Sequence, residues 1–318
     1  MKYIFINHSN LTRIIILNII EDFKLNKKDC IILNLRDQKK IKESQLKQPL
    51  TFFPYIEKYN YHRLFILILA VVLKLQILFL TRGKFTLYAP NYSVEFVRVI
   101  SILPYCVNKC QLEDGFVNYK YNVEQCKNLF YRKSRGRFKF LFDSSGLVNK
   151  SCTNYFCFDK SAFIGEPSVF VVSRRILENI PTSVKPNEAL NIFVLEPFSK
   201  DITIEQYQKM IVKFLIFTNK RFNISYFKFH PEQSDKEKNK IKKYIESEKL
   251  NDIVYLDEPI EALLIKHSNV VIHSIISTLL IYQYFFTGTK GWCYQMNNKN
   301  LDNENLKIML KYANLKKI

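Results

Sequence analysis

Asn223 to Ser234 reads NISYFKFHPEQS, and its reading decides the fold. Ile224 to Phe229 is dense in β-branched and aromatic residues without clean alternation, which predicts a buried strand. Pro231 ends it, because proline has no N–H for a ladder. The charged run Ser234 to Lys249 then predicts a helix, with Ser234 and Glu237 forming a capping box. His230 is therefore placed at the carboxyl end of a strand, where open α/β sheets bind ligands. The plain alternative is a capping or packed histidine.

The same alternation extends outward in both directions. Lys2 to Asn7, Asp29 to Leu35 and Phe85 to Ala89 read as strands, with Tyr105 to Leu112 extended. Between them lie helices over Asn10 to Phe23, with Asn10 as cap, over Tyr61 to Leu80, and from a Ser93 cap to Leu103. Later strands are expected at Ala189 to Leu195, Asp252 to Leu256, Asn269 to His273 and Gly291 to Tyr294. Helices are expected over Thr203 to Asn219, Pro259 to His267, Ile276 to Phe286 and Asn303 to Ala313. This is a doubly wound α/β pattern. The stretch PTSVKPN at Pro181 to Asn187 marks a boundary. Two Rossmann-like domains follow, residues 1–180 and 188–318, and such a pair implies a cleft between them. Val117 to Lys185 reads as loops, short helices and linker.

Composition narrows the function. The 318 residues carry 48 basic and 29 acidic side chains, a formal charge of +19 that favours polyanionic company. Only seven glycines occur, which argues against glycine-rich phosphate loops. The seven cysteines are scattered with no CxxC pair, as expected of a reducing compartment. Met1 to Asn7 reads as a first strand, not as the apolar core of a secretory signal. Leu64 to Leu80 (LFILILAVVLKLQILFL) is short of the ~20 apolar residues of a spanning helix. Lys74 and Gln76 interrupt it, so it is expected to be a buried or membrane-surface helix.

Three polar constellations fall at strand ends or helix starts. Glu113-Asp114-Gly115 puts a carboxylate on a turn after a strand, able to take a proton from a hydroxyl; a plain Asp-Gly turn is the alternative. Lys228 and His230, two apart, share a strand face and suit a phosphate leaving group. Ser277-Thr278 opens a helix whose free N–H groups make an anion site, or merely caps it. Glu261, in the preceding helix, is placed to bind a ribose hydroxyl pair, or is simply exposed.

In this order the three constellations resemble bacterial sialyltransferases of the GT-B type. Those enzymes carry an acidic pair before glycine, matched by Glu113-Asp114-Gly115. They carry an HP motif, matched by His230-Pro231, and a paired Ser/Thr motif, matched by Ser277-Thr278. YFKFHP also resembles the Lys-x-His-Pro form of some members. The sequence is most similar to glycosyltransferase family 52, which modifies lipooligosaccharide, with polysialyltransferases as near relatives. The resemblance implies a GT-B fold and an inverting transfer of sialic acid from CMP-sialic acid to a lipooligosaccharide or capsular glycan. It implies Asp114 as general base, with Glu113 and Gly115 supporting it. His230 becomes the acid, beside Lys228 and Pro231. Ser277 and Thr278, or Ser274 in place of Ser277, hold the phosphate, and Glu261 binds the ribose. His273 departs from the small residue usual at its place. Some family members transfer other sugars, so a UDP-sugar donor is the alternative.

No Asp-x-Asp motif occurs, so activity is expected without a metal. A basic nucleic-acid-binding protein is the rival class, supported by the charge and by YRKSRGRFKF at Tyr131 to Phe140. No helix-turn-helix, RNP or zinc-finger pattern accompanies it, and nucleic acid is not expected as a partner. The charge and the apolar helix together predict peripheral attachment to the anionic, cytoplasmic face of a bacterial inner membrane.

Overall fold

A computed structural model describes residues 1–34, 63–128, 148–175, 190–195, 204–230, 233–250, 252–275, 277–295 and 303–317. The chain forms two compact units, Met1–Ile180 and Pro181–Ile318.

The first unit begins with β1 (Lys2–Asn7), α1 (Asn10–Asp22), β2 (Cys30–Asn34) and α2 (Arg63–Thr81). It continues with β3 (Phe85–Ala89), α3 (Glu95–Ser101) and β4 (Cys106–Leu112). Two short helices, α4 (Phe116–Lys120) and α5 (Val123–Asn128), precede β5 (Asn154–Cys157) and β6 (Val169–Val171). The strands pair in parallel in the order β2-β1-β3-β4-β5-β6. Both faces of such a sheet are covered, so its strands read as apolar runs without alternation. On one face Ile4, Ile6, Phe85 and Leu87 pack with Leu73 and Ile77 of α2 and Val97 and Ile100 of α3. On the other, Phe5 stacks on Tyr88 at 4.5 Å.

The second unit runs β7 (Leu190–Val194), α6 (Ile204–Phe222), β8 (Tyr226–Lys228), α7 (Asp235–Ser247) and β9 (Val254–Tyr255). Then come α8 (Ile260–Lys266), β10 (Val270–Ser274), α9 (Thr278–Thr287), β11 (Gly291–Gln295), α10 (Asn303–Tyr312) and β12 (Ala313–Lys317). Its parallel order is β12-β11-β10-β7-β8-β9. Phe193 and Phe227 stack at 5.8 Å beneath Ile211, Phe214 and Leu215 of α6 and Ile241 and Ile245 of α7. Gly291 opens β11 where no side chain fits: a Cβ there would crowd Gln283 Oε1 and lie 2.6 Å from the Ile272 carbonyl. Gln283 Oε1 is itself engaged, accepting the Ile272 N–H at 2.7 Å.

Each sheet has a point where the chain reverses its direction of winding. It lies between β1 and β3 in the first unit, and between β7 and β10 in the second. Ligands of such folds bind outside the strand ends at these points.

Several sequence-based expectations change. α1 is capped by Ser9, not Asn10, the Ser9 hydroxyl accepting the Thr12 N–H at 3.1 Å. Ser93 does not cap α3: its hydroxyl bonds Asn91 Oδ1 at 2.6 Å, and Val94 holds the cap position. β8 stops at Lys228, so His230 lies two residues beyond it. The stretch read as loops contains β5 and β6, and the last helix gives way to β12. The Ser234–Glu237 capping box is formed in both directions. The basic run Tyr131 to Phe140 and residue Pro231 lie outside the described residues.

Candidate functional site

One strand beyond the first reversal point, the end of β4 fixes two adjacent carboxylates differently. Glu113 is fully buried. Its Oε1 accepts the Tyr119 hydroxyl at 2.6 Å and its Oε2 the Phe158 N–H at 2.9 Å. Its own N–H donates to the Phe156 carbonyl at 3.0 Å. Glu113 thus ties β4 to β5 and has a structural task. Gly115, at φ +77°, turns the chain into α4, a conformation that favours glycine. Between them, the Asp114 N–H donates to Asn118 Oδ1, which leaves the carboxylate directed elsewhere.

That carboxylate meets a residue not anticipated from the sequence. Asp114 Oδ1 lies 2.7 Å from Nε2 of His8, the residue that follows β1. The two side chains are 11% and 19% exposed, so the pair is sheltered yet reachable. His8 Nδ1 lies 3.1 Å from Thr12 Oγ1, which lies 2.8 Å from Ser9 Oγ. A polar residue at the carboxyl end of the first strand was the available signal, but its partner is remote in sequence. Asn118 is buried, and its Nδ2 finds no partner among the described residues.

In the second unit the structure brings Lys228 and Glu261 together. Lys228 Nζ donates to the Glu258 carbonyl at 2.8 Å. Burial raises the Glu261 carboxyl above its usual range, opposed by its own backbone N–H and by the Lys228 charge. The His230 N–H donates to Gln233 Oε1 at 2.9 Å, and the Gln233 N–H returns to the His230 carbonyl at 3.1 Å. Gln233 is buried, and its Nε2 has no partner among the described residues.

Ser274 is fully buried and donates to the Val194 carbonyl at 2.9 Å, bridging β10 and β7 at the second reversal point. Ser277 is the N-cap of α9, accepting the Leu279 N–H at 3.2 Å. Thr278 is half-buried in the first turn. His273 is inside the sheet, its Nδ1 2.8 Å from the Tyr294 hydroxyl and its Nε2 3.2 Å from Asn191 Oδ1. Burial pulls its pKa down to about 3, which keeps it neutral and structural. Among the described residues, no group of three or more His, Cys, Asp or Glu side chains is placed to hold a metal ion.

The fold has relatives among solved structures. The chain is similar to UDP-GlcNAc 2-epimerase from Methanocaldococcus jannaschii, with a TM-score of 0.56 at 12% identity over 100% of this chain and 89% of that one. The 2-epimerase from Rickettsia bellii gives 0.54 at 13% identity, over 92% of this chain and 78% of that one. A sialyltransferase from Photobacterium damsela gives 0.50 at 11% identity, over 99% and 81%. No protein-family model and no curated sequence matches the chain. Likeness at these identities is likeness of fold. The fold is GT-B, two Rossmann-like domains built on parallel sheets.

Proposed function

We propose that this GT-B chain is an inverting sialyltransferase that moves sialic acid from CMP-sialic acid to a hydroxyl of a cell-surface glycan. The observation that carries the reading is Asp114: a sheltered carboxylate, pinned by its backbone, that reaches from the end of β4 to His8 at the end of β1, a strand bordering the reversal point of the first sheet. The motif match to family 52 adds the donor and acceptor class. In the reaction the acceptor oxygen attacks the anomeric carbon and its proton passes to Asp114. The bond from that carbon to the phosphate oxygen breaks, and CMP leaves with the electron pair. His230 donates to the departing phosphate, and the N-terminus of α9, with Ser277 and Thr278, receives its charge. Lys228 and Glu261 serve the nucleotide. Ser274 acts through the wall of the site, since its hydroxyl is engaged with Val194.

A donor panel tests this. CMP release from CMP-sialic acid with a lipooligosaccharide acceptor is expected, and it should persist in excess EDTA because protein donors neutralise the leaving group. Turnover of UDP-sugars alone would favour the second reading, a UDP-sugar transferase. The two epimerase structures give that reading its support.

We place the protein on the inner face of the bacterial inner membrane. No helix among the described residues is long and apolar enough to cross a bilayer. α2 instead buries Leu73 and Ile77 and exposes Val71, Leu75, Leu78 and Phe79, with Arg82 over the Phe79 ring. An apolar stripe with basic flanks on a chain of charge +19 suits an anionic lipid surface.

A further inference from the structure

The loop after β1 contributes a side chain to the base. His8 Nε2 stands 2.7 Å from Asp114 Oδ1, hydrogen-bond distance between groups from two different strand ends. The ring is held from its other side as well, by Thr12 Oγ1 at 3.1 Å, and Thr12 by Ser9 Oγ at 2.8 Å. Thr12 is fully buried in the first turn of α1. Ser9 is doubly committed, because its oxygen also caps α1 through the Thr12 N–H. The helix start thus locks two hydroxyls, the hydroxyls lock the imidazole, and the imidazole locks the carboxylate.

The donors can be assigned in one consistent direction. Ser9 donates to Thr12, Thr12 to His8 Nδ1, and His8 Nε2–H to Asp114 Oδ1. This order fixes the Nε2-protonated tautomer and leaves Oδ2 of Asp114 for the acceptor hydroxyl. A carboxylate held at one oxygen presents the other in a defined direction, the orienting logic by which a third group serves an acid–base pair. A free aspartate on a turn would sample several rotamers, and displacing a reacting group by about 1 Å costs ~10²-fold in rate.

We infer that His8 is the positioning residue of the base, acting through Asp114 and held in its tautomer by Thr12. This rests on the reading of Asp114 as the group that takes the acceptor proton.

The test uses the full chain. His8→Ala is expected to lower kcat about 10²-fold with the KM for CMP-sialic acid unchanged. His8→Gln, which keeps an N–H for Oδ1, should recover part of that loss. In an Asp114→Asn background, His8→Ala should cost nothing further, because a residue that acts only through Asp114 has nothing left to position. Unchanged kcat in His8→Ala, or losses that multiply in the double variant, would overturn the inference. The pairing is also read without any turnover, by ¹⁵N NMR of the His8 ring. The Nε2–H tautomer is expected, with its resonance moving in Asp114→Asn. If the chain turns over no CMP-sialic acid but the resonance moves, the functional reading fails and the pairing stands. A resonance indifferent to Asp114→Asn sinks the pairing itself.

Discussion

Glu113 Oε2 accepts the backbone N–H of Phe158 at 2.9 Å, so the end of β4 is fastened to the segment after β5 through a buried carboxylate. The neighbouring Asp114 therefore hangs from a fixed backbone. Replacing Glu113 by Ala would leave the Phe158 N–H and the Tyr119 hydroxyl without their acceptor. A loss of about 3 kcal/mol in unfolding free energy is expected, read by urea denaturation.

Asp114→Asn should behave in the opposite way. Shape and most polar contacts survive while basicity goes, so turnover is expected to drop by 10²–10⁴-fold. CMP affinity and the unfolding midpoint should hold. Calorimetric titration with CMP beside steady-state kinetics separates the two; near-normal turnover would remove Asp114 from its role.

His230→Ala is expected to lower kcat more than it raises the donor KM, because in the proposed reaction the imidazole acts on charge that grows as CMP departs. A rise confined to KM would make His230 a binding group.

His273 predicts an acid-dependent stability. Its pKa is about 3 in the folded chain, against about 6.5 when unfolded. Between those values the unfolded chain binds a proton that the folded chain refuses. Stability is therefore fully present above pH ~6.5 and falls as the pH drops toward 3, by at most ~1.4 kcal/mol per unit from this residue. His273→Gln should flatten that slope in denaturation curves taken between pH 7 and 5, though it lowers stability at pH 7.

The exposed stripe of α2 yields the last expectation. Leu75 is 61% and Phe79 73% exposed, and burying such side chains in lipid is worth roughly 1.5–3 kcal/mol each. Leu75→Asp with Phe79→Asp should weaken sedimentation with anionic vesicles by at least tenfold. High salt should release the unaltered protein, since it screens the basic contribution.

Much of this architecture is legible in the chain. β1, β3, β7 and β10 announce themselves because parallel strands buried on both faces must be apolar throughout. The shorter strands do not. β5 and β6 hold four and three residues, too few for a periodic signal, in a stretch read as loops, whereas the two-residue β9 falls inside the strand expected at Asp252 to Leu256. The cap of α1 moves from Asn10 to Ser9 because the two are equally good cap formers until geometry chooses, and α3 starts at Val94 without a side-chain cap because Ser93 is engaged by Asn91. Asp114, Lys228 and Glu261 were recognisable as polar groups at strand ends and helix starts. His8 was not, because nothing local distinguishes a histidine before a cap from one that meets a carboxylate on another strand. Gln233 carries no local signal of its burial beside His230.

Gly291 carries a consequence for tracing this lineage. A Cβ at this position would run into Gln283 and the Ile272 carbonyl, so a side chain there demands a simultaneous change in α9 and a shift of β10. Two such changes seldom arise together. As kindred chains diverge, Gly291 and Gln283 are expected to persist as a pair after the surface lysines and loop residues have been replaced. An alignment anchored on that pair would find distant kin where the short polar motifs have become too sparse to guide it.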